Sequence, residues 1–115
     1  MDQFQFELML TRLNVRLATA LNELAGRQVT PYKSANLDDK RTIWLLESYQ
    51  NWLDMFEFAT IMADEYEEAY ECQPQIRPVL DKLKPVAKKY RKKFPSQEST
   101  DFVYPEAEST EEKES

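Results

Sequence analysis

The sequence of 115 residues contains no histidine, one glycine and one cysteine. Without histidine the chain cannot form Ser–His or Cys–His nucleophile pairs, histidine-containing zinc sites or the Glu-x-x-His motif of di-metal bundles. One glycine, Gly26, cannot supply the glycine-rich loops that bind nucleotide phosphates. These absences predict a protein that is not an enzyme and has no cofactor, metal or small-molecule substrate.

The single cysteine, Cys72, excludes an internal disulfide and favours a reducing compartment. No apolar run reaches the roughly 18 residues that a membrane-spanning helix needs. The first residues, Met1-Asp2-Gln3-Phe4, lack the basic and apolar stretches of a signal peptide. We therefore expect a cytoplasmic protein without membrane contact.

What the sequence does contain is a high content of helix-forming residues, chiefly Leu, Ala, Glu, Lys, Gln and Met. Few β-branched residues are present, so the composition predicts an all-α fold. With 42% hydrophobic residues there is material for one domain. We place this domain at residues 1–94 and expect residues 95–115 to form a disordered acidic tail, because they offer little to bury.

The first helix is predicted from Asp2 to Ala25. Asp2 carries a negative charge where a helix N-terminus favours one, and Gly26 suits the left-handed residue that ends a helix. Apolar residues spaced alternately by four and three line one face: Phe6, Leu10, Leu13, Leu17, Ala20 and Leu24.

A second, long helix is predicted from an N-cap at Asn36 to about Glu71. Its apolar spine consists of Leu45, Tyr49, Trp52, Phe56, Ala59, Ala63, Tyr66 and Tyr70. A second apolar stripe lies beside the spine and consists of Trp44, Met55, Phe58 and Met62. Either neighbouring helices of the same protein cover this stripe, or it binds another chain, since methionine and aromatic residues are frequent at such surfaces.

A shorter third helix is predicted to begin near Pro78, with a kink or interruption at Pro85. The expected architecture is an antiparallel hairpin of two long helices with this third helix packed across it, as in a three-helix bundle. Beyond it, the apolar island Phe102-Val103-Tyr104 interrupts the acidic tail. This island either docks onto a partner or onto its own domain, or it is a chance cluster.

Charge alternates strongly along the chain. Residues 36–71 carry a net charge of −8, residues 72–94 carry +7 and residues 95–115 carry −6. The basic run at 82–93 ends in Lys88, Lys89, Arg91, Lys92 and Lys93, which are candidate ligands for the phosphates of a nucleic acid. These bases can equally face the acidic second helix or be neutralised by the acidic tail in an electrostatic clasp.

Acidic residues on the second helix allow two further interpretations. One is a decoy that imitates the charge of DNA through Glu47, Asp54, Glu57, Asp64, Glu65 and Glu68. The other is a metal site at Asp64, Glu65, Glu67, Glu68 and Glu71, which the sequence disfavours because a helix spreads these carboxylates over several faces.

The function that these observations favour is a non-catalytic protein–protein interaction or assembly protein. It would bind a partner or itself through Trp44, Met55, Phe58 and Met62, with Phe102 and Tyr104 as further contacts. A short, histidine-free helical chain with a charged tail is similar in general character to small accessory proteins of viruses and phages. A virion-associated location is therefore the alternative to a cytoplasmic one.

Overall fold

The computed structural model describes residues 2–102, and the regular secondary structure within this range is helical. It forms α1 (Gln3–Ala25), α2 (Lys40–Glu47), α3 (Tyr49–Tyr70) and α4 (Arg77–Lys89), followed by a 3₁₀ turn at Arg91–Lys93. The predicted all-α class is confirmed for this part of the chain. None of these helices has both the length and the apolar content needed to cross a membrane.

Helix α1 begins and ends within one residue of its predicted bounds. The Asp2 carboxylate accepts a hydrogen bond of 2.8 Å from the backbone N–H of Gln5, which caps the N-terminus. At the other end Gly26 adopts φ 71° and ψ 16°, the left-handed conformation that glycine reaches without steric cost. Both ends were predictable because each depends on residues within one helical turn.

Helices α1 and α3 pack side by side in opposite directions. The Gln3 side chain donates a hydrogen bond of 2.9 Å to the Tyr66 hydroxyl, which joins the start of α1 to the end of α3. Further along α1, the Leu17 carbonyl accepts a bond of 3.0 Å from the indole N–H of Trp52, near the start of α3. Trp52 is therefore both fully buried and hydrogen-bonded, as a buried indole requires.

The core lies where the four helices α1, α2, α3 and α4 meet. It contains most of the apolar spines predicted for the first two helices, together with one face of α4. Its fully buried members include Leu10, Leu17, Leu21, Leu45, Trp52, Ala63, Leu80, Leu83 and Ala87.

The prediction of one long helix from Asn36 to Glu71 is wrong, because the chain breaks at Ser48. Ser48 has an extended backbone, with φ −156° and ψ 140°, and its hydroxyl accepts a hydrogen bond from the N–H of Asn51. It thus caps α3, while the N–H of Tyr49 donates to the carbonyl of Ser96 at 2.9 Å. A serine side chain in the middle of a helix can form hydrogen bonds with the backbone that replace the helical ones. Here the distant residue Ser96 also supplies a carbonyl that accepts a bond from the Tyr49 N–H, which makes the break favourable.

The start of the second helical region also differs from its prediction. Asn36 has a positive φ of 54° and does not cap a helix. Asp39 takes that role and accepts hydrogen bonds from the N–H groups of Arg41 and Thr42 at 2.8 and 3.1 Å. Helix α2 consequently starts at Lys40.

Helix α4 continues through Pro85 to Lys89, so the chain is not interrupted there; a kink at Pro85 stays a prediction. The ring of Pro85 is exposed, which lets water reach the backbone that a proline leaves unpaired. Arg77 opens α4 and bonds Asp64 and Glu67 of α3 at 2.8 and 3.1 Å. Arg77 thereby compensates part of the acidic cluster at the end of α3.

The chain after α4 returns to the joint between α2 and α3. The Thr100 hydroxyl accepts a hydrogen bond of 2.7 Å from the Asn51 side-chain amide. The backbone N–H of Thr100 donates one of 2.8 Å to the Asn51 side-chain oxygen. Phe102 packs against Trp44, so within residues 2–102 contacts with the helices continue past residue 94; the domain boundary at residue 94 stays a prediction. Residues 103–115 lie outside the described residues, and there the predicted disordered tail stays a prediction.

Candidate functional site

A groove of about 850 Å³ opens along one side of the antiparallel pair α1 and α3. We call it the α1–α3 groove and define it by its lining residues. These are Gln5, Leu8, Met9, Arg12, Leu13, Arg16, Arg41, Trp44, Asp54, Met55, Phe58 and Phe102. Most of the lining surface is apolar, which is typical of a binding site rather than of ordinary protein surface.

The two long walls of the groove each come from one helical face. On α1 the lining residues recur at intervals of three and four between Gln5 and Arg16, so one stripe of the helix faces the groove. On α3 the opposite wall is made by Asp54, Met55 and Phe58, which also share one face. Because both walls belong to continuous helices, the groove is set on rigid elements.

One end of the groove is formed by Trp44 and Phe102. Their rings meet edge to face, with centroids 5.7 Å apart and an interplanar angle of 68°. The indole N–H of Trp44 donates to the Thr100 carbonyl at 2.9 Å, and the Asn51 side chain donates to the Trp44 carbonyl at 2.9 Å. This network holds both aromatic side chains in place although they come from distant parts of the sequence.

Three arginines line the groove, two from α1 and one from α2. Arg16 forms a two-pronged contact with the Asp39 carboxylate, at 3.3 and 3.2 Å. Burial opposes ionisation of Asp39, but hydrogen bonds from Arg16 and from the N–H groups of Thr42 and Arg41 outweigh it, so the pKa of Asp39 lies below its ordinary value. Arg12 forms no ion pair with any of residues 2–102. Among residues 2–102, Asp54 is the only acidic residue in the lining.

Four of the six residues predicted from sequence to bind a partner line this one groove: Trp44, Met55, Phe58 and Phe102. Phe58 is 48% exposed, while the other three are half-buried. Met62 does not line the groove and is half-buried against the core. Tyr104 lies outside the described residues.

Sequence reasoning missed the α1 wall. Leu8 is 37% exposed, and it stands four and eight residues before Arg12 and Arg16. That spacing was visible in the sequence, as a second stripe beside the α1 spine that combines apolar residues with two arginines. No pattern in the sequence pointed to Arg41, because its place in the groove depends on how α2 packs against α1 and α3.

The five predicted anion-binding residues lie at the opposite end of the sequence from α1. Lys88 and Lys89 occupy the last turn of α4, and Arg91, Lys92 and Lys93 form the 3₁₀ turn. All five are exposed. The Arg91 guanidinium lies 5.8 Å from the Tyr49 ring and bonds the Gln97 side chain, so part of its interaction capacity is used within the chain.

The acidic side chains do not converge on one point. Asp64 pairs with Arg77, Asp54 accepts a bond from Gln50, and Glu47 accepts one from Thr100. In residues 2–102 no three acidic or cysteine side chains are placed so that they could hold a metal ion.

Comparison of the chain with protein-family models, with curated proteins and with solved structures finds no match. The groove and its surroundings are therefore the basis for a functional proposal.

Proposed function

We propose that this protein is a non-catalytic interaction or assembly protein that binds a partner protein, or a second copy of itself, through the α1–α3 groove. The observation that carries the proposal is the exposure of large apolar side chains along a concave surface between two helices. Contiguous exposed apolar surface of this kind is uncommon on monomeric proteins and is typical of interaction sites.

The energetic reason lies in the apolar side chains that a partner would remove from water. Phe58 on α3 and Leu8 on α1 both line the groove and are 48% and 37% exposed. Burying apolar area contributes about 25 cal/mol per Å², and aromatic anchors in the centre of an interface carry much of the binding energy. Met9 and Met55 add adaptable side chains that fit ligands of different shape.

The shape of the site favours a helical or extended segment as ligand. Two parallel walls from α1 and α3 leave a trough between them, which is the geometry in which amphipathic helices bind. The arginines along the trough would orient a ligand and increase its association rate more than they would add to affinity.

The test is Phe58→Asp, with Phe4→Asp as the matched control. Phe4 lies on α1 outside the groove lining and is 75% exposed, so the same substitution there changes charge and apolar area without touching the groove. We expect both variants to keep their helical circular dichroism and to change stability by less than about 1 kcal/mol. Only Phe58→Asp should lose self-association in sedimentation velocity, or the partner retained by the wild-type protein after nuclease treatment and moderate salt.

Loss of helicity in Phe58→Asp would instead place Phe58 among the residues that maintain the fold. Equal binding by both variants would show that the interaction surface lies elsewhere. Either result contradicts the proposal.

A second candidate function is nucleic-acid binding, and the exposure of all five basic residues between Lys88 and Lys93 favours it. Such binding would depend on these residues, would be lost with nuclease and would fall steeply as salt rises. Binding through the α1–α3 groove would survive moderate salt, because apolar contacts carry it. A DNA-mimicking role and a cytoplasmic or virion-associated location stay predictions.

A further inference from the structure

The described chain ends inside the α1–α3 groove. Phe102, the last described residue, lines the groove and contacts Trp44. Two residues earlier, Thr100 is held by Asn51, Trp44 and Glu47, with bonds of 2.7 to 2.9 Å. The sequence that follows therefore starts from a fixed point at one end of the trough.

The chemistry of residues 103–115 complements the groove. They begin with Val103 and Tyr104, which are apolar, and continue with five glutamates and one lysine, for a net charge of −4. Among residues 2–102 the groove lining is mostly apolar and carries three arginines and one acidic residue, Asp54. Arg16 already pairs with Asp39, whereas Arg12 forms no ion pair within this range. Opposite charges attract more strongly in a partly desolvated trough than they do in open water.

The reach of this segment is sufficient. Thirteen extended residues span up to about 43 Å at roughly 3.3 Å each. The α1 wall from Gln5 to Arg16 covers about 16 Å at 1.5 Å per residue.

We propose that residues 103–115 bind in the α1–α3 groove of their own chain, with Tyr104 on the apolar wall and the glutamates beside the arginines. The segment is tethered at Phe102, so its effective concentration is in the millimolar range and weak contacts are enough to occupy the site. It would then compete with any external partner, which would have to displace it.

This inference uses the groove of the proposed function but does not depend on the identity of the partner. It also differs from the clasp suggested by the sequence, in which the acidic tail neutralises the basic run at 82–93. The two arrangements place the same segment on different surfaces.

The experiment is disulfide trapping in the full chain, with Cys72→Ser to remove the native thiol. One protein carries Ser109→Cys with Gln5→Cys, which lies in the groove lining; a second carries Ser109→Cys with Lys88→Cys, on the basic run. Each is equilibrated with reduced and oxidised glutathione, and the intramolecular disulfide is quantified by mass spectrometry to give an effective concentration. Low protein concentration and gel filtration separate intramolecular from intermolecular products.

We expect a higher effective concentration for the Gln5 pair, and we expect Arg12→Glu to lower it about fivefold. Arg27→Glu is the matched control, because it reverses an arginine near the end of α1 outside the groove and should leave the value unchanged. An equal or higher effective concentration for the Lys88 pair, an intermolecular product, or equal effects of the two arginine variants would each overturn the inference. If the trapping experiment contradicts the inference, the proposal that a partner binds through Phe58 is not affected. If the Phe58→Asp test contradicts that proposal, the trapping result still stands.

Discussion

Helix α3 has two apolar faces that look alike in the sequence, but the rest of the described chain covers one of them more fully than the other. One face carries Trp52, Ala59, Ala63 and Tyr66, all of which are at most 3% exposed. The other carries Met55, Phe58 and Met62, with Ile61 beside them, and both Phe58 and Ile61 are 48% exposed.

The difference between the two faces follows from what lies opposite each. The covered face meets α1 directly and carries alanines that permit close approach of the helices, and the Trp52 indole reaches the Leu17 carbonyl. On the open face, residues of α1 and α3 line the groove. Hydrophobicity alone thus identifies both faces as buried or binding surfaces, while packing decides which one maintains the fold.

The strongest test of this comparison is to truncate one aromatic residue on each face. Trp52→Ala removes a fully buried ring and should cost about 3–5 kcal/mol of unfolding free energy. Phe58→Ala should cost less than about 1 kcal/mol, because its ring is already half in water. Urea unfolding followed by circular dichroism measures both. Similar losses for the two variants would contradict the division into a covered and an open face.

A smaller loss of stability is expected at Asn51, which lies in the first turn of α3 and bonds the Trp44 and Thr100 segments at one end of the groove. Asn51→Leu removes the hydrogen bonds to Trp44 and Thr100 and leaves their buried partners unsatisfied, at a cost of about 2–3 kcal/mol. The backbone amide of Thr100 should then exchange its hydrogen much faster, which NMR detects. Gln50→Leu is the control, since the Gln50 side chain donates a hydrogen bond to Asp54 on the surface, and its loss should change stability by less than about 0.5 kcal/mol. Continued protection of the Thr100 amide in Asn51→Leu would show that other contacts hold this segment.

The smallest effect concerns Asp39, the ion-pair partner of the groove residue Arg16. Because the pKa of folded Asp39 lies below its ordinary value, its ionised form stabilises the fold above the unfolded-state pKa. This contribution is lost as pH falls through the lowered folded-state pKa. Asp39→Asn, which can still cap α2, should therefore be about 1 kcal/mol less stable than wild type near neutral pH.

The gap between Asp39→Asn and wild type should close in acid, below the ordinary carboxyl pKa, in unfolding curves taken at a series of pH values. Asp38→Asn is the matched control on the exposed neighbour and should follow wild type throughout. A gap that is independent of pH would show that the charge of Asp39 does not contribute.

The structural features that could be predicted are determined by residues close to one another in the sequence. The bounds of α1 follow from Asp2 and Gly26, and the stripe of Met55 and Phe58 follows from helical periodicity on α3. The polar residues Asn14, Thr19 and Asn22 are buried in the same helix, and periodicity gives no reason for them. Asn22 and Thr19 instead bond the backbone of the loop after α1, at Val29, Tyr32 and Ala35.

The sequence by itself determined the helical class, the caps of α1, the apolar stripes and the exclusion of histidine-dependent chemistry. Each of these depends on composition or on residues within about one turn of each other. The tertiary structure decided the break at Ser48, the return of Thr100 to Asn51 and the position of Arg41 beside α1 and α3. These depend on contacts between segments far apart in the chain, such as Tyr49 with Ser96. Periodicity shows that a helix face is apolar, but only the placement of the other helices shows whether that face is covered or open.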